Sequence, residues 1–352
     1  MTQGMFVMKA IPLHLGHIHA INLAASQCSR LFVILCHSES DSEYFQNLKL
    51  NPVPWKIRLK WLKEIYNDIA HVKILQHFED GIPPYPHGWK EWSESIKTLL
   101  WGRGIELDDN KRLQFKWFSS EVKDQENARK HFPSVDFVLI DPGRKNVPIS
   151  ATKIRRGGIY KYWQYLPGVV RPYFAKKVVI VGTESTGKTT LVKFLAKKFN
   201  TSWTEEYGRD FVETECFGDE TLLKFDDFAT IAMRHKQYEA DALRSANMVT
   251  FSDTEAIVTQ FYCGLYEGRK NPIVDAIARS QEYDLWLFTC CDVPWVADGV
   301  RLHSGDREML EDDLLDLLAK YGVAPKELYP LNGSYYRRMQ LAIGRVEELL
   351  KL

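Results

Sequence analysis

Neither sign of charge predominates in this sequence: 46 Lys and Arg residues stand against 46 Asp and Glu, for a formal net charge of +0 at pH 7. No global positive field is therefore available to hold a polyanion or an anionic membrane, which excludes a basic nucleic-acid-binding tail and makes neither nucleic acid nor membrane an expected partner. No apolar run approaches the roughly 20 residues that span a bilayer. Cysteine is scarce, with six in 352 residues. Cys28, Cys36, Cys216, Cys263, Cys290 and Cys291 include no CxxC pair, and the only adjacent two have poor geometry for bridging each other. Reduced thiols among apolar neighbours are expected. Short-period repeats and low-complexity segments are missing too. The N-terminus lacks the basic region, apolar core and cleavage site of a secretory signal, so the cytoplasm is the expected compartment.

Hydrophobic residues at 45% and aromatics at 12% argue for a packed core, and the length favours two domains. Short β-branched or aromatic runs alternate with helical patterns in two series. The first has strand patterns at 5–8, 31–36, 72–76, 114–118 and 137–140, with helical stretches at 17–26, 55–66 and 89–100. The second has strand patterns at 178–181, 248–252, 285–289 and 328–331, with helices starting near Lys188, Asp226, Asp306 and Tyr335. Such alternation predicts βαβ units on parallel sheets. Between the series, Pro167, Gly168 and Pro172 break any helix, which puts the boundary near Tyr173 and the domains at 1–172 and 173–352.

The segment Gly182-Thr183-Glu184-Ser185-Thr186-Gly187-Lys188-Thr189 is a full P-loop pattern, following a strand pattern and opening a helix. Its glycines let backbone N–H groups converge on a β-phosphate, and the helix N-terminus adds partial positive charge. Gly182, Glu184, Ser185, Thr186, Gly187, Lys188, Thr189 and Thr190 form the expected ATP cradle, with Lys188 bridging the β- and γ-phosphates and the Thr189 hydroxyl ligating Mg²⁺. The strand pattern at 248–252 delivers Asp253 as a second Mg²⁺ ligand; the alternative is that it merely caps the next helix. Downstream, Arg301 and Arg307 are candidate ATP contacts, Arg301 in a catalytic role on the transferring phosphoryl group. Surface salt bridges with Asp306 and Glu308 are their alternative. The run Glu205-Glu206-Tyr207-Gly208-Arg209 suits a phosphate acceptor. An acid there accepts the hydroxyl proton and Trp203 or Tyr207 stacks on an aromatic ring, although Trp203 equally suits a core position.

Near the N-terminus, Pro12-Leu13-His14-Leu15-Gly16-His17 follows the first strand pattern and opens the first helix, so two imidazoles stand where anions are stabilised. No further His or Cys follows at zinc-ligand spacing. The partner motif, Ile149-Ser150-Ala151-Thr152-Lys153-Ile154-Arg155, puts hydroxyls and amides at a second helix start with an arginine one turn on. Paired in this order, the two motifs read as a Rossmann-like nucleotidyltransferase.

Together, the HxGH and ISATKIR elements followed by a P-loop resemble the NadR family of bifunctional nicotinamide mononucleotide adenylyltransferases and ribosylnicotinamide kinases. Supporting residues span nearly the whole chain, among them Ser119 to Glu121, Asp141, Pro142, Arg144, Glu206 to Arg209, Asp253, Thr254, Tyr266 to Gly268 and the Trp295 to Arg301 run. The resemblance implies an α/β fold of two domains, a Rossmann-like nucleotidyltransferase domain followed by a P-loop kinase domain, both with parallel sheets. It implies an enzyme that phosphorylates nicotinamide riboside with ATP and adenylates the mononucleotide to NAD. His14 and His17 would then hold ATP phosphates, with Lys9, Ser150, Thr152 and Arg155 neutralising the departing pyrophosphate. Glu206, Tyr207, Arg209, Asp253 and Trp203 would contact the acceptor, and Trp55 and Arg58 the nicotinamide ring, unless their helix face is simply packed. Met8-Lys9-Ala10 stands where the family has Gly-Lys-Phe. Asp253-Thr254-Glu255 replaces Asp-Thr-Asp, so that Glu255 would reach a metal or ribose hydroxyl from a shifted position. The helix-turn-helix of some members is missing, and a repressor role has no physical basis. A homo-oligomer is admitted without being required. Two alternatives stand beside this reading: a coenzyme A pathway adenylyltransferase and kinase, which would share both cradles, and a nucleotide sensor that keeps only kinase activity.

Overall fold

In the computed structural model, residues 2–39, 41, 53–83, 87–105, 107, 115–293, 307–324 and 326–351 are described. Arg301 and the run that carries it lie outside the described residues. The chain divides into two compact units, Met1–Val170 and Arg171–Leu352.

The first unit is a parallel sheet of β1 (Gln3–Met8), β2 (Arg30–His37), β3 (Val72–Phe78), β4 (Phe115–Ser119) and β5 (Asp136–Leu139), in the order β3-β2-β1-β4-β5. Its helices are α1 (Leu15–Ala25), α2 (Trp55–Tyr66), α3 (Trp89–Trp101), α4 (Gln125–His131) and α5 (Ala151–Gly157). β2 reads as one apolar run, Leu31 through Cys36, because helices cover both faces of a parallel sheet. On one face Met5, Phe32, Ile34, Ile96, Trp117 and Phe132 share a core. Strand order reverses between β1 and β4, so the ligand crevice of such a sheet opens at their carboxyl ends. The HxGH motif leaves β1 there.

The second unit comprises α6 (Arg171–Phe174), β6 (Lys176–Val181), α7 (Lys188–Lys198), β7 (Trp203–Thr204), α8 (Tyr207–Glu215), α9 (Asp227–Arg244), β8 (Val249–Asp253), α10 (Ala256–Glu267), α11 (Pro272–Arg279), β9 (Leu285–Thr289), α12 (Arg307–Lys320), β10 (Leu328–Leu331) and α13 (Tyr335–Leu350). The sheet is again parallel, in the order β10-β9-β6-β8-β7. β6 is central and ends in the P-loop, with β8 beside it ending at Asp253. The two residues of β7 are too few to carry a strand pattern. Among the described residues no helix is long and apolar enough to cross a membrane.

Candidate active sites

In the first unit, His14 is the N-cap of α1. Its Nδ1 accepts the His17 N–H at 3.3 Å, and the Nδ1 of His17 accepts the His14 N–H at 3.4 Å, a reciprocal capping box. The rings stack with centroids 3.7 Å apart. Because both Nδ1 atoms act as acceptors, each neutral ring carries its proton on Nε2 and keeps that N–H as a donor. Burial, then the Arg144 and Arg155 guanidiniums, pull His17 down to about 3. Burial, then His17, Arg144 and Arg155, push His14 further below its ordinary value. The pair thus offers dipoles rather than cations.

The second motif closes on the first. A Cβ on Gly16 would lie 3.0 Å from the His14 ring and 3.3 Å from the Ile149 side chain, so glycine permits this approach. Ser150 caps α5 by accepting the Lys153 N–H at 3.1 Å. Arg155 donates to the Ile11 carbonyl at 2.6 Å and to the Thr152 hydroxyl at 3.0 Å. His14, His17, Ser150, Thr152 and Arg155 are therefore brought together in one corner.

Two candidate ligand contacts in this unit have partners within the protein. Lys9 is no free cation for pyrophosphate: its ammonium lies 2.9 Å from Asp41 and 2.8 Å from Glu79. Arg58 finds its partners inside the protein. Fully buried, it donates to the Lys9 carbonyl at 2.5 Å and to Asp41 at 3.1 Å, bracing the end of β1. Trp55 lies flat on His37, with centroids 4.6 Å apart, and edge-on to the exposed Phe78. Met8 ends β1 with its side chain buried, and Ala10 takes a φ of 55°.

In the second unit the P-loop runs from β6 into α7. Gly182 has φ 150°, and a Cβ there would stand 2.6 Å from the Thr289 carbonyl oxygen, so no side chain fits. The Thr186 hydroxyl bonds the Thr183 carbonyl at 2.9 Å and the Thr289 hydroxyl at 2.8 Å. Lys188 is buried and donates to the Thr183 carbonyl at 2.9 Å. One brace escaped the sequence reading. Arg338 of α13, 3% exposed, donates to the carbonyls of Thr186 (2.9 Å), Cys290 (2.8 Å) and Gly333 (3.0 Å) and pairs with Asp292. Its signal was there: it shares an i, i+4 stripe with buried Ala342, Val346 and Leu350.

Beside Lys188 opens a pocket whose walls include Glu184, Glu206, Arg209, Glu220, Phe228, His235, Tyr262 and Tyr266. Glu206 and Arg209 thus share the walls of one pocket with Lys188. Trp203 and Tyr207 do not line the pocket: Lys193 covers the Trp203 ring at 5.0 Å, and Tyr207 packs edge-on against Tyr238 and Phe211. Arg307 opens α12 and donates to the Val293 carbonyl at 2.6 Å. Its Nε and Nη2 are buried without a partner among the described residues. Glu255 has both carboxylate oxygens engaged by its own helix. It caps α10, accepting the N–H groups of Ile257 (2.7 Å) and Val258 (3.0 Å), and burial raises it to about 8.

With Glu255 as cap, Asp253 is left free of that role. Both its carboxylate oxygens are buried with no hydrogen-bond partner among the described residues. Burial first, then the Glu206 charge, raise it to about 6, against the pull of the Lys188 and Arg209 charges. A carboxylate whose folded pKa is raised destabilises the fold above that pKa and has no such effect below the unfolded value near 3.8. A shift of this size is worth about 3 kcal/mol. Asp253→Asn keeps a buried amide, so the nucleotide-free protein is expected to gain about 1 kcal/mol or more at pH 7, with no gain below pH ~4. Thermal melting at the two pH values checks this; a lower midpoint at pH 7 would show that Asp253 is stabilising.

A Rossmann-like sheet with a histidine-capped phosphate corner, followed by a P-loop unit with an acceptor pocket, defines a fused nucleotidyltransferase and P-loop kinase. Comparison with known proteins makes this specific. The AAA domain family matches residues 177–338. The trifunctional NAD biosynthesis/regulator protein NadR of Salmonella typhimurium is 37% identical over 352 residues, covering 99% of this chain and 83% of that protein. The Escherichia coli protein of the same name is 37% identical over 326 residues, covering 92% and 77%. A crystal structure of NadR in complex with NAD and AMP-PNP superposes with a TM-score of 0.79 at 27% identity, covering 100% of this chain and 96% of the other; a NadR complex with NR gives 0.79 at 26% with the same coverage. The chain belongs to the NadR family of NAD biosynthesis enzymes.

Proposed function

We propose that residues 173–352 phosphorylate nicotinamide riboside with ATP, and that residues 1–172 join the resulting mononucleotide to the adenylyl group of a second ATP, giving NAD and pyrophosphate. The observation that carries this reading is a phosphate-binding corner at the carboxyl end of each parallel sheet, the P-loop corner opening on an acceptor pocket. Both reactions consume ATP and belong in the cytoplasm.

In the kinase half, Lys188 leaves the Thr183 carbonyl for the β- and γ-phosphates, and Glu206 receives the proton of the acceptor hydroxyl as the γ-phosphoryl group transfers. Asp253 and Thr189 fit a Mg²⁺ ion: two unpartnered carboxylate oxygens and a hydroxyl are the hard oxygen donors it requires. When bound, the ion neutralises charge on the β- and γ-phosphates. Arg307 brings unpartnered guanidinium N–H groups toward the same chemistry, and Arg301 is proposed beside it.

In the transferase half, the mononucleotide phosphate attacks the α-phosphorus in line and the bond to the β-phosphate breaks. The nucleophile is already ionised, so no general base is needed, and positioning with electrostatics carries the rate. His14 and His17 donate Nε2–H bonds to the ATP phosphates, with Ser150, Thr152 and Arg155 on the pyrophosphate. Lys9 joins them only by exchanging Asp41 and Glu79 for phosphate. Trp55, stacked on His37, offers an aromatic face to the nicotinamide ring.

Supplying ATP and Mg²⁺ with either nicotinamide riboside or the mononucleotide tests the halves separately. The riboside is expected to yield mononucleotide and then NAD, and the mononucleotide to yield NAD directly. No mononucleotide from the riboside refutes the kinase assignment; no NAD from the mononucleotide reduces the first unit to a binding domain.

A further inference from the structure

A cluster of side chains at the carboxyl ends of β2 and β3 supplies no group that touches substrate in either reaction. Cys36 and His77 are direct register partners across the parallel ladder, and Glu79, two residues beyond His77, projects to the same side. Cys36 Sγ lies 3.6 Å from His77 Nδ1, and a Glu79 carboxylate oxygen completes a trio whose atoms all lie within 4.8 Å of one another. Tetrahedral zinc, bonded at about 2.3 Å to sulfur and about 2.0 Å to nitrogen, sets those two ligand atoms about 3.5 Å apart.

The surroundings orient each donor. His77 Nε2 lies 2.8 Å from the Ser95 hydroxyl, so that in the tautomer protonated at Nε2 the hydroxyl accepts that proton and the Nδ1 lone pair faces the sulfur. Metal-ligating histidines are held by such an outer partner. Trp92 Nε1 donates to Glu79 Oε1 at 3.0 Å and fixes the carboxylate. Cys36 and His77 are 2% and 4% exposed, so the donors are held away from bulk water.

We propose that Cys36, His77 and Glu79 form a site for a borderline-soft divalent transition metal of the zinc type, with a fourth position open to water. One thiolate, one imidazole and one carboxylate favour zinc over magnesium or calcium, which take oxygen donors. As the sulfur–metal bond forms, the thiol proton leaves to solvent. The metal also competes with Lys9 for Glu79, whose Oε2 that ammonium holds at 2.8 Å. Occupation of the site therefore loosens Lys9 from one of its two acids.

Cobalt(II) titration of the full chain, stripped of metal by a chelator, reads the site directly. One equivalent is expected to bind with a thiolate-to-cobalt charge-transfer band in the near-ultraviolet and tetrahedral visible bands, all displaced by Zn²⁺. Cys36→Ser, nearly isosteric, should abolish the charge-transfer band. Ser95→Ala, which leaves every ligand in place, should weaken cobalt binding about tenfold. No band in the wild-type protein, or the same band in Cys36→Ser, overturns the proposal, as does unchanged affinity in a folded Ser95→Ala protein.

Discussion

Replacing Lys188 by alanine is expected to slow phosphorylation of nicotinamide riboside by roughly a hundredfold or more, while NAD formation from the mononucleotide continues at the wild-type rate. The substitution removes a charge aimed at phosphates whose negative charge is redistributed in the transition state, worth ~3 kcal/mol or more in a buried setting. Lys188 is buried at the first position of α7, and its ammonium already reaches the P-loop carbonyl of Thr183. Separate assays of the two steps check this, and an equal fall in both would mean that the two sites are not distinct.

The mirror-image result is expected for His17→Ala: adenylyl transfer should fall about a hundredfold, with riboside phosphorylation spared. The change deletes one Nε2–H donor to phosphate and unstacks His14 from its partner. It also breaks the reciprocal cap of α1, at a cost of about 1 kcal/mol. The free protein should show no histidine-dependent limb in kcat/KM between pH 5 and 8, because His17 stays neutral down to about 3. Stability follows the opposite course. An unfolded imidazole takes its proton near 6.5 and this folded one only near 3, so the stabilisation is complete above 6.5 and is lost as pH falls across that window. His17→Ala should flatten that acid slope. A rate limb near 6.5 that the variant removes would show that a cationic imidazole acts instead.

The architecture was largely legible in the sequence because parallel βα units announce themselves through apolar runs and helical periodicity. Glycine-rich and histidine motifs then fall where strand meets helix, so the P-loop and HxGH corners followed. The side chains that read least clearly share one cause. Lys9, Arg58, Trp203 and Tyr207 are picked out by residue type and local pattern, whereas their orientation depends on the partners each finds in the fold, such as Asp41 for Arg58 and Lys193 for the Trp203 ring. A charged residue on a buried helical stripe is the signal for such a role, weighed for Arg58 as the packed-face alternative and missed for Arg338. Arg58 aligns with Trp61, Leu62 and Tyr66, and Arg338 with Ala342 and Val346, and both turned out to be braces for backbone carbonyls. Glu255 shows the converse: one methylene more than aspartate, and the side chain turns back to cap its own helix.

Arg338 also bears on how the protein is made. The bond that secures the P-loop carbonyl of Thr186 joins residues 152 positions apart in the chain. A ribosome must therefore translate most of the second unit after the P-loop has emerged before that loop has its brace. Contacts of such separation form late. The histidine corner of the first unit, complete once Arg155 has been added, is available much earlier. During synthesis the nascent chain should acquire its two ATP sites in sequence, the adenylyl-transferring site first, although it acts second on the path to NAD.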